Sequence, residues 1–325
     1  MSNLAFVKAD SLVKEFSIKP EGISFMRAAS VQAVSGVSFE INRGETFALV
    51  GESGCGKSTI GRLSIGLLKP TSGSVYIDGI ELGSLSGSDM KRMRSKMQII
   101  FQDPYSSLNP RMRALEIVAE PLLAHKVYSS RAQAMQESMH LLEMCGISSS
   151  LASRYAHQFS GGQRQRIGIA RALALRPQYI VCDEPVSALD VSIQSQIINL
   201  LVELQEMLQL SYMFISHDLS VVRYISDRVC VMFLGKVCEI GNTNEIFGSP
   251  RHPYTKLLLE AVPKADPTQR KDKDVLLGDM PSPINPPSGC RFHTRCPYKK
   301  GICSELEPAL EIKGDRSVAC HFPFS

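Results

Sequence analysis

Apolar positions along the chain follow two rhythms. Short unbroken runs at Tyr179 to Cys182 and Tyr212 to Ile215 read as parallel strands buried on both faces, and Phe47 to Val50 and Lys96 to Phe101 (KMQIIF) read as further buried strands. The opening predicts further strands, Leu4 to Lys8 and Val31 to Ile41, with a loop from Ile18 to Ser30 between them that reads as an insertion. Ser74 to Ile77 followed by Asp78-Gly79 predicts a strand ending in a hairpin turn, and Val229 to Leu234 with Lys236 to Ile240 predicts a hairpin about Gly235. The second rhythm is helical. From Arg113 to Met144 apolar residues recur on two faces, Leu115, Val118 and Leu122 on one and Met135, Met139 and Leu142 on another. Ile193, Ile197, Leu201, Leu204 and Leu208 form a further stripe that core packing explains. Strand alternating with helix predicts an α/β fold. Its parts are a mainly parallel sheet, an N-terminal antiparallel β region and a helical insertion over about 113–165.

The pattern lapses after Pro263. Residues 264–289 carry Pro267, Pro281, Pro283, Pro286 and Pro287 and the charged run Arg270 to Asp274, as in an extended linker. Residues 290–325 have few apolar residues and many turn formers, so a piece of that size needs a metal or a docking surface. The expected organisation is therefore a domain over 1–263, a linker over 264–289 and a small Cys-rich segment over 290–325.

Composition changes this picture little. The 325 residues are 44% apolar and 21% charged, with a net charge of +4. That charge gives little reason to expect a nucleic-acid partner, and the densest basic run, Lys91 to Lys96, reads as a solvated helix face. No apolar run reaches the roughly 18 residues of a membrane span, and MSNLAFVKADSLVKEF has no secretory pattern. Nine cysteines without export signals argue for a reducing compartment.

The chemistry begins at GESGCGKST, Gly51, Glu52, Ser53, Gly54, Cys55, Gly56, Lys57, Ser58 and Thr59. It satisfies G-x-x-x-x-G-K-[ST] between an apolar strand and Ile60, Leu63 and Leu67 at helical spacing. Glycines let the backbone point its N–H groups at phosphate, Lys57 reaches the β/γ-oxygens and Ser58 offers a hydroxyl to Mg²⁺. Asp183 and Glu184 end the strand that starts at Tyr179. Asp183 can hold Mg²⁺ through water, and Glu184 can orient the attacking water and accept its proton. Phe159-Ser160-Gly161-Gly162-Gln163 is another glycine-rich turn at a helix start, here Gln163 to Leu175. With that motif the chain resembles the ATP-binding cassette (ABC) ATPases, whose signature is usually written LSGGQ; Phe159 replaces the leucine.

The resemblance implies the P-loop NTPase cassette fold and ATP hydrolysis with ATP and Mg²⁺ bound. It also implies a composite site in which Ser160, Gly161, Gly162 and Gln163 cap the γ-phosphate held by a second subunit. Gln102 resembles the glutamine that touches Mg²⁺ and the attacking water, and Ser187 to Asp190 resembles the loop that crosses the dimer interface. His217 resembles the histidine at the γ-phosphate, and Phe16 is the candidate for stacking on adenine. Arg251-His252-Pro253-Tyr254-Thr255, Leu257 to Leu259, Ser106 to Arg111 and the Cys-bearing tail are similar to the ATPase subunits of dipeptide and oligopeptide importers. That likeness implies a second, often non-identical ATPase subunit and two transmembrane permease subunits. It further implies an extracytoplasmic peptide-binding protein and a peripheral seat on the cytoplasmic face of the membrane. Nickel or another small solute stays open as cargo. A soluble ABC ATPase acting on nucleic acid or ribosomes, and a non-catalytic regulator, are the readings from other classes.

In the tail, Cys290, Cys296, Cys303 and Cys320 lack the tight C-x₂₋₄-C pairs of structural zinc. Four thiolates on wider loops suit a [4Fe–4S] cluster, as does the cysteine-rich segment of the importer subunits. Zinc and unligated or disulfide-bonded thiols remain alternatives. His293 and His321 lie beside these cysteines.

Overall fold

The computed structural model describes residues 5–18, 29–261 and 279–325. Leu4, positions 19–28 of the expected insertion and 264–278 of the expected linker lie outside the described residues. In chain order the elements begin with strands β1 (Val7–Ile18), β2 (Ala29–Ile41) and β3 (Thr46–Val50), helix α1 (Lys57–Ser64), and strands β4 (Ser72–Ile77) and β5 (Ile80–Glu81). Next come α2 (Gly87–Lys96), β6 (Met97–Ile100), α3 (Ala114–Ala124), α4 (Arg131–Met144), α5 (Gly161–Leu173), β7 (Tyr179–Asp183), α6 (Val191–Leu208) and β8 (Ser211–Ile215). The chain closes with α7 (Leu219–Ile225), β9 (Arg228–Phe233), β10 (Lys236–Asn242), α8 (Thr243–Gly248), α9 (Pro253–Glu260), α10 (Ile302–Glu305), β11 (Glu311–Lys313) and β12 (Arg316–Val318). Two compact units result, one from the described parts of 1–41, 47–83 and 217–325, the other from 42–46 and 84–216.

The first unit holds an antiparallel sheet in the order β2-β1-β4-β5. The turn from β4 to β5 puts Asp78 at φ 52° and Gly79 at φ 76°, the pair of positive φ values that a two-residue hairpin turn needs. A second set of strands runs β11-β12-β10-β9-β3. Strand β3 lies parallel to β9, with Leu49 opposite Cys230, and all five of its residues are buried. That is why its sequence is unbroken rather than alternating. The β9–β10 hairpin turns at Leu234 (φ 44°) and Gly235 (φ 77°). Strand β12, from the Cys-rich tail, pairs with β10 through Glu239 opposite Val318. The tail thus adds strands to the sheet edge and also docks Phe292, 1% exposed, on Phe233 and Tyr254.

The second unit places β6, β7 and β8 in parallel, with Ile99 opposite Val181 and Val181 opposite Met213. Helices α3, α4 and α5 pack on one another. Three helical expectations shift. Helix α4 buries Ala134, Ser138, Leu141 and Leu142, whereas Met135 and Met139 are half-buried. Small residues allow the close approach, and Ser138 satisfies its hydroxyl on the Ala134 carbonyl at 2.7 Å, so a polar residue occupies the buried face. Leu208, in the last turn of α6, is 41% exposed. Helix α5 begins two residues before Gln163, at Gly161, with Ser160 as its N-cap.

Candidate functional site

In the first unit the phosphate loop joins β3 to α1. Gly56, at φ 102°, is the N-cap of α1, so the N-terminal amides of this helix follow the loop. A Cβ on Gly51 would run into the Met232 carbonyl, and one on Gly56 into the Ala33 carbonyl. Glycine is required at both positions by space as well as by φ. Lys57 is 5% exposed, and its ammonium donates to the carbonyls of Gly51 at 2.8 Å and Glu52 at 3.0 Å. Cys55 packs inside the loop, and burial raises its thiol pKa. Ser58 and Thr59 are half-buried in the first turn of α1, and Ser53 and Gly54 are exposed. His217 is exposed and immediately precedes Asp218, which caps α7 by accepting from the Ser220 and Val221 amides. Phe16, on β1, is 39% exposed, with the Lys14 ammonium 5.2 Å from its ring centroid.

Residues outside the expected nucleotide site hold the loop from behind. The Glu52 amide donates to the Tyr254 hydroxyl at 3.0 Å, and the Glu52 carboxylate accepts from Arg295 at 2.8 and 3.1 Å. Tyr254, fully buried, is set by its own amide donating to His252 Nδ1 at 3.0 Å. Burial lowers the His252 pKa to about 3, which keeps that nitrogen an acceptor. The backbone amides of Arg251 and His252 donate to the buried Glu239 carboxylate, both at 2.9 Å. The motif Arg251 to Thr255, which carried only a family likeness, is therefore a brace for the phosphate loop. No spacing rule in the sequence points to it.

In the second unit Asp183 ends β7 and is 2% exposed. Glu184 follows at φ 47°, and its amide donates to the Ile215 carbonyl at 3.0 Å. A non-glycine residue in the left-handed region is strained, and such strain gathers at functional positions. Gln102 Nε2 donates to Glu184 Oε2 at 2.9 Å, so the expected water-orienting pair is brought together. Ser160 and Gln163 form a reciprocal cap, the Ser160 amide donating to Gln163 Oε1 at 3.1 Å and the Gln163 amide to Ser160 Oγ at 3.3 Å. A Cβ on Gly161 would meet Leu189, and one on Gly162 would strike Ile193. These glycines let the signature turn lie against the segment of Leu189, Asp190 and Ile193, with Asp190 at the N-cap of α6.

In the tail, Cys290, Cys296, Cys303 and Cys320 all line one small cavity, together with His293 and His321. Among the described residues no three His, Cys, Asp or Glu side chains stand close enough to hold a single metal ion. Burial raises the Cys290 thiol to about 11, and the other three cysteines push it the same way. Coordination would reverse that, since a coordinating thiol is deprotonated outright. One ring nitrogen of each histidine is taken by a backbone carbonyl, His293 by Cys290 at 2.9 Å and His321 by Leu306 at 2.8 Å. The four thiols that line this cavity form a soft, all-sulfur donor set.

A profile of the ABC transporter family matches residues 34–187, and one described as the C-terminal region of oligopeptide/dipeptide transporters matches residues 238–303. The oligopeptide transport ATP-binding protein AppF of Bacillus subtilis (strain 168) is 50% identical over 313 residues, 95% of each chain. The chain belongs to the ABC transporter family of oligopeptide and dipeptide transport ATP-binding proteins. Among solved structures, the ATP-binding cassette MJ0796, in a dimeric post-hydrolysis state bound to ADP and Pi, is 32% identical with a TM-score of 0.64. That match covers 73% of this chain and 98% of MJ0796. The cassette cbiO1 of Clostridium perfringens, part of the ABC transporter complex cbiONQ, is 29% identical with a TM-score of 0.63, covering 75% and 91%. A member of this family is an ATPase, and the phosphate-loop, carboxylate and signature motifs of that activity are all present in this chain.

Proposed function

We propose that this chain is the ATP-hydrolysing motor subunit of a membrane importer of di- and oligopeptides. The observation that carries the reading is one chain joining an intact set of nucleotide motifs to the C-terminal region of that transporter family. Lys57 and the loop amides hold the β- and γ-phosphates, and Phe16 stacks on adenine. Ser58, Gln102 and Asp183 are hard oxygen donors of the kind Mg²⁺ takes; the ion would neutralise phosphate charge. Glu184, oriented by Gln102, accepts the proton of the attacking water, and His217 contacts the γ-phosphate. Ser160 to Gln163, with Asp190, serve the nucleotide bound by a second subunit, in line with the dimeric state of MJ0796.

The second ATPase subunit, two permease subunits and an extracytoplasmic peptide-binding protein complete the machine. The permeases provide the passage; no helix of the described residues is long and apolar enough to cross a membrane. The chain sits peripherally on their cytoplasmic face. Purified with its native partners into vesicles, the complex is expected to take up labelled oligopeptide only with ATP. Ser160→Arg is expected to abolish uptake while leaving ATP binding by this chain's Lys57 in place. Uptake of nickel without peptide, or isolation with no membrane partner, would overturn the cargo or the transport role respectively.

For the tail we propose a [4Fe–4S] cluster on Cys290, Cys296, Cys303 and Cys320, supported by their convergence on one cavity. When bound, the cluster would staple a segment short of apolar core. Protein purified without oxygen is expected to be brown, with about four iron and four sulfide per chain. Any single Cys→Ser change among the four should bleach it. Stoichiometric zinc, or no metal at all, would reject the cluster.

A further inference from the structure

The phosphate loop contains a carboxylate, Glu52, whose charge opposes binding of a triphosphate. Its neighbours give that charge a counterion. Arg295 places one guanidinium nitrogen on both carboxylate oxygens, at 2.8 and 3.1 Å. The arginine side chain is 7% exposed and the glutamate 25%, so water screens the pair only partly. The guanidinium also lies over the Phe233 ring at 5.8 Å, on the strand that pairs with β3. Glu52 is held at two further points, its amide on Tyr254 and its carbonyl on Lys57. Arg295 itself belongs to the Cys-rich tail, one residue before Cys296 and three after Phe292. The tail's own packing therefore delivers the counterion.

We propose that Arg295 is a positioning residue for ATP binding. It neutralises Glu52 and keeps that carboxylate turned away from the bound phosphates. The inference rests on the ATPase reading above and goes beyond it, because it makes nucleotide affinity depend on the order of the C-terminal tail. Removing the cation while keeping the loop leaves a partly buried, uncompensated negative charge in the phosphate loop. Removing both charges removes the repulsion. A tail that merely props the loop would make the opposite prediction for the double change.

The test is equilibrium ATP binding to the full chain as purified, with melting temperature recorded for each variant. Wild-type binding checks the ATPase reading separately. Arg295→Gln is expected to weaken ATP about tenfold, within the usual range of site-to-site coupling, and to weaken ADP less, since ADP brings less charge. Arg295→Lys keeps the cation and should lose less. Glu52→Gln combined with Arg295→Gln should recover most of the lost affinity. If Arg295→Gln binds ATP as wild type does, or the double variant binds as weakly as Arg295→Gln alone, the proposal is overturned. Should Arg295→Gln not fold, Glu52→Gln alone decides: with the carboxylate gone it should bind ATP at least as tightly as wild type, and weaker ATP binding would refute charge neutralisation.

Discussion

Glu184→Gln is expected to bind ATP with near wild-type affinity and to hydrolyse it at least about a hundredfold more slowly, the lower end of what a general base contributes. The substitution is close to isosteric. The left-handed backbone at 184 is held by the hydrogen bond its N–H donates to the Ile215 carbonyl, which the change does not touch. A glutamine carbonyl can still accept from Gln102 Nε2, now 2.9 Å from the carboxylate. Lys57 and the loop amides belong to another segment and stay intact. What is lost is the ability to take a proton from water, a defect in kcat rather than in binding. Single-turnover hydrolysis and ATP titration separate the two, and a variant with an unimpaired rate would remove Glu184 from the general-base role. Gel filtration with ATP and Mg²⁺ should also find this variant held as a dimer, since the nucleotide is not turned over.

Gly56→Ala is expected to remove ATP binding and to cost at least about 2 kcal/mol of stability. The position sits at φ 102° and its Cβ would drive into the backbone carbonyl of Ala33, which is part of β2. No side-chain rotation relieves a clash with backbone, so either the loop or the strand must shift. A shifted Gly56 moves the start of α1 and with it the Lys57 ammonium. Gly54→Ala supplies the comparison. It lies in the same loop at φ 78°, yet a Cβ there meets nothing within 4 Å, so only the backbone strain of about 1 kcal/mol applies. Denaturant unfolding and ATP titration of both variants check this; equal losses would mean that φ alone, and not the approach of β2, demands glycine at 56.

Much of the fold was legible because buried parallel strands leave unbroken apolar runs. Phe47 to Val50, Tyr179 to Cys182 and Tyr212 to Ile215 all fall within observed strands, as does the second arm of the Gly235 hairpin, while Leu234 at the end of the first arm stands in the turn. On α4 the structure departs from the expected face because hydrophobicity favours Met135 and Met139, whereas close helix packing selects the small Ala134 and Ser138. Candidate residues that act through a local turn were readable from spacing alone. The reciprocal cap of Ser160 and Gln163 is a contact between residues three apart. Lys57 reaches carbonyls five and six residues back.

Sequence by itself therefore determined the phosphate loop, the carboxylate pair, the signature turn and the family, because each is written in neighbouring residues whose backbone must turn in one way. Tertiary structure alone decided what meets that loop from far along the chain. Tyr254 lies 202 residues from Glu52 and Arg295 lies 243 away; no periodicity or motif spacing encodes such a pairing. It arises because β10 accepts β12 at its edge and Phe292 fills the space beside Phe233 and Tyr254, so burial of apolar surface carries the tail's arginine to the phosphate loop. That the four tail cysteines line one cavity has the same origin: chain folding, and not spacing, brings them there.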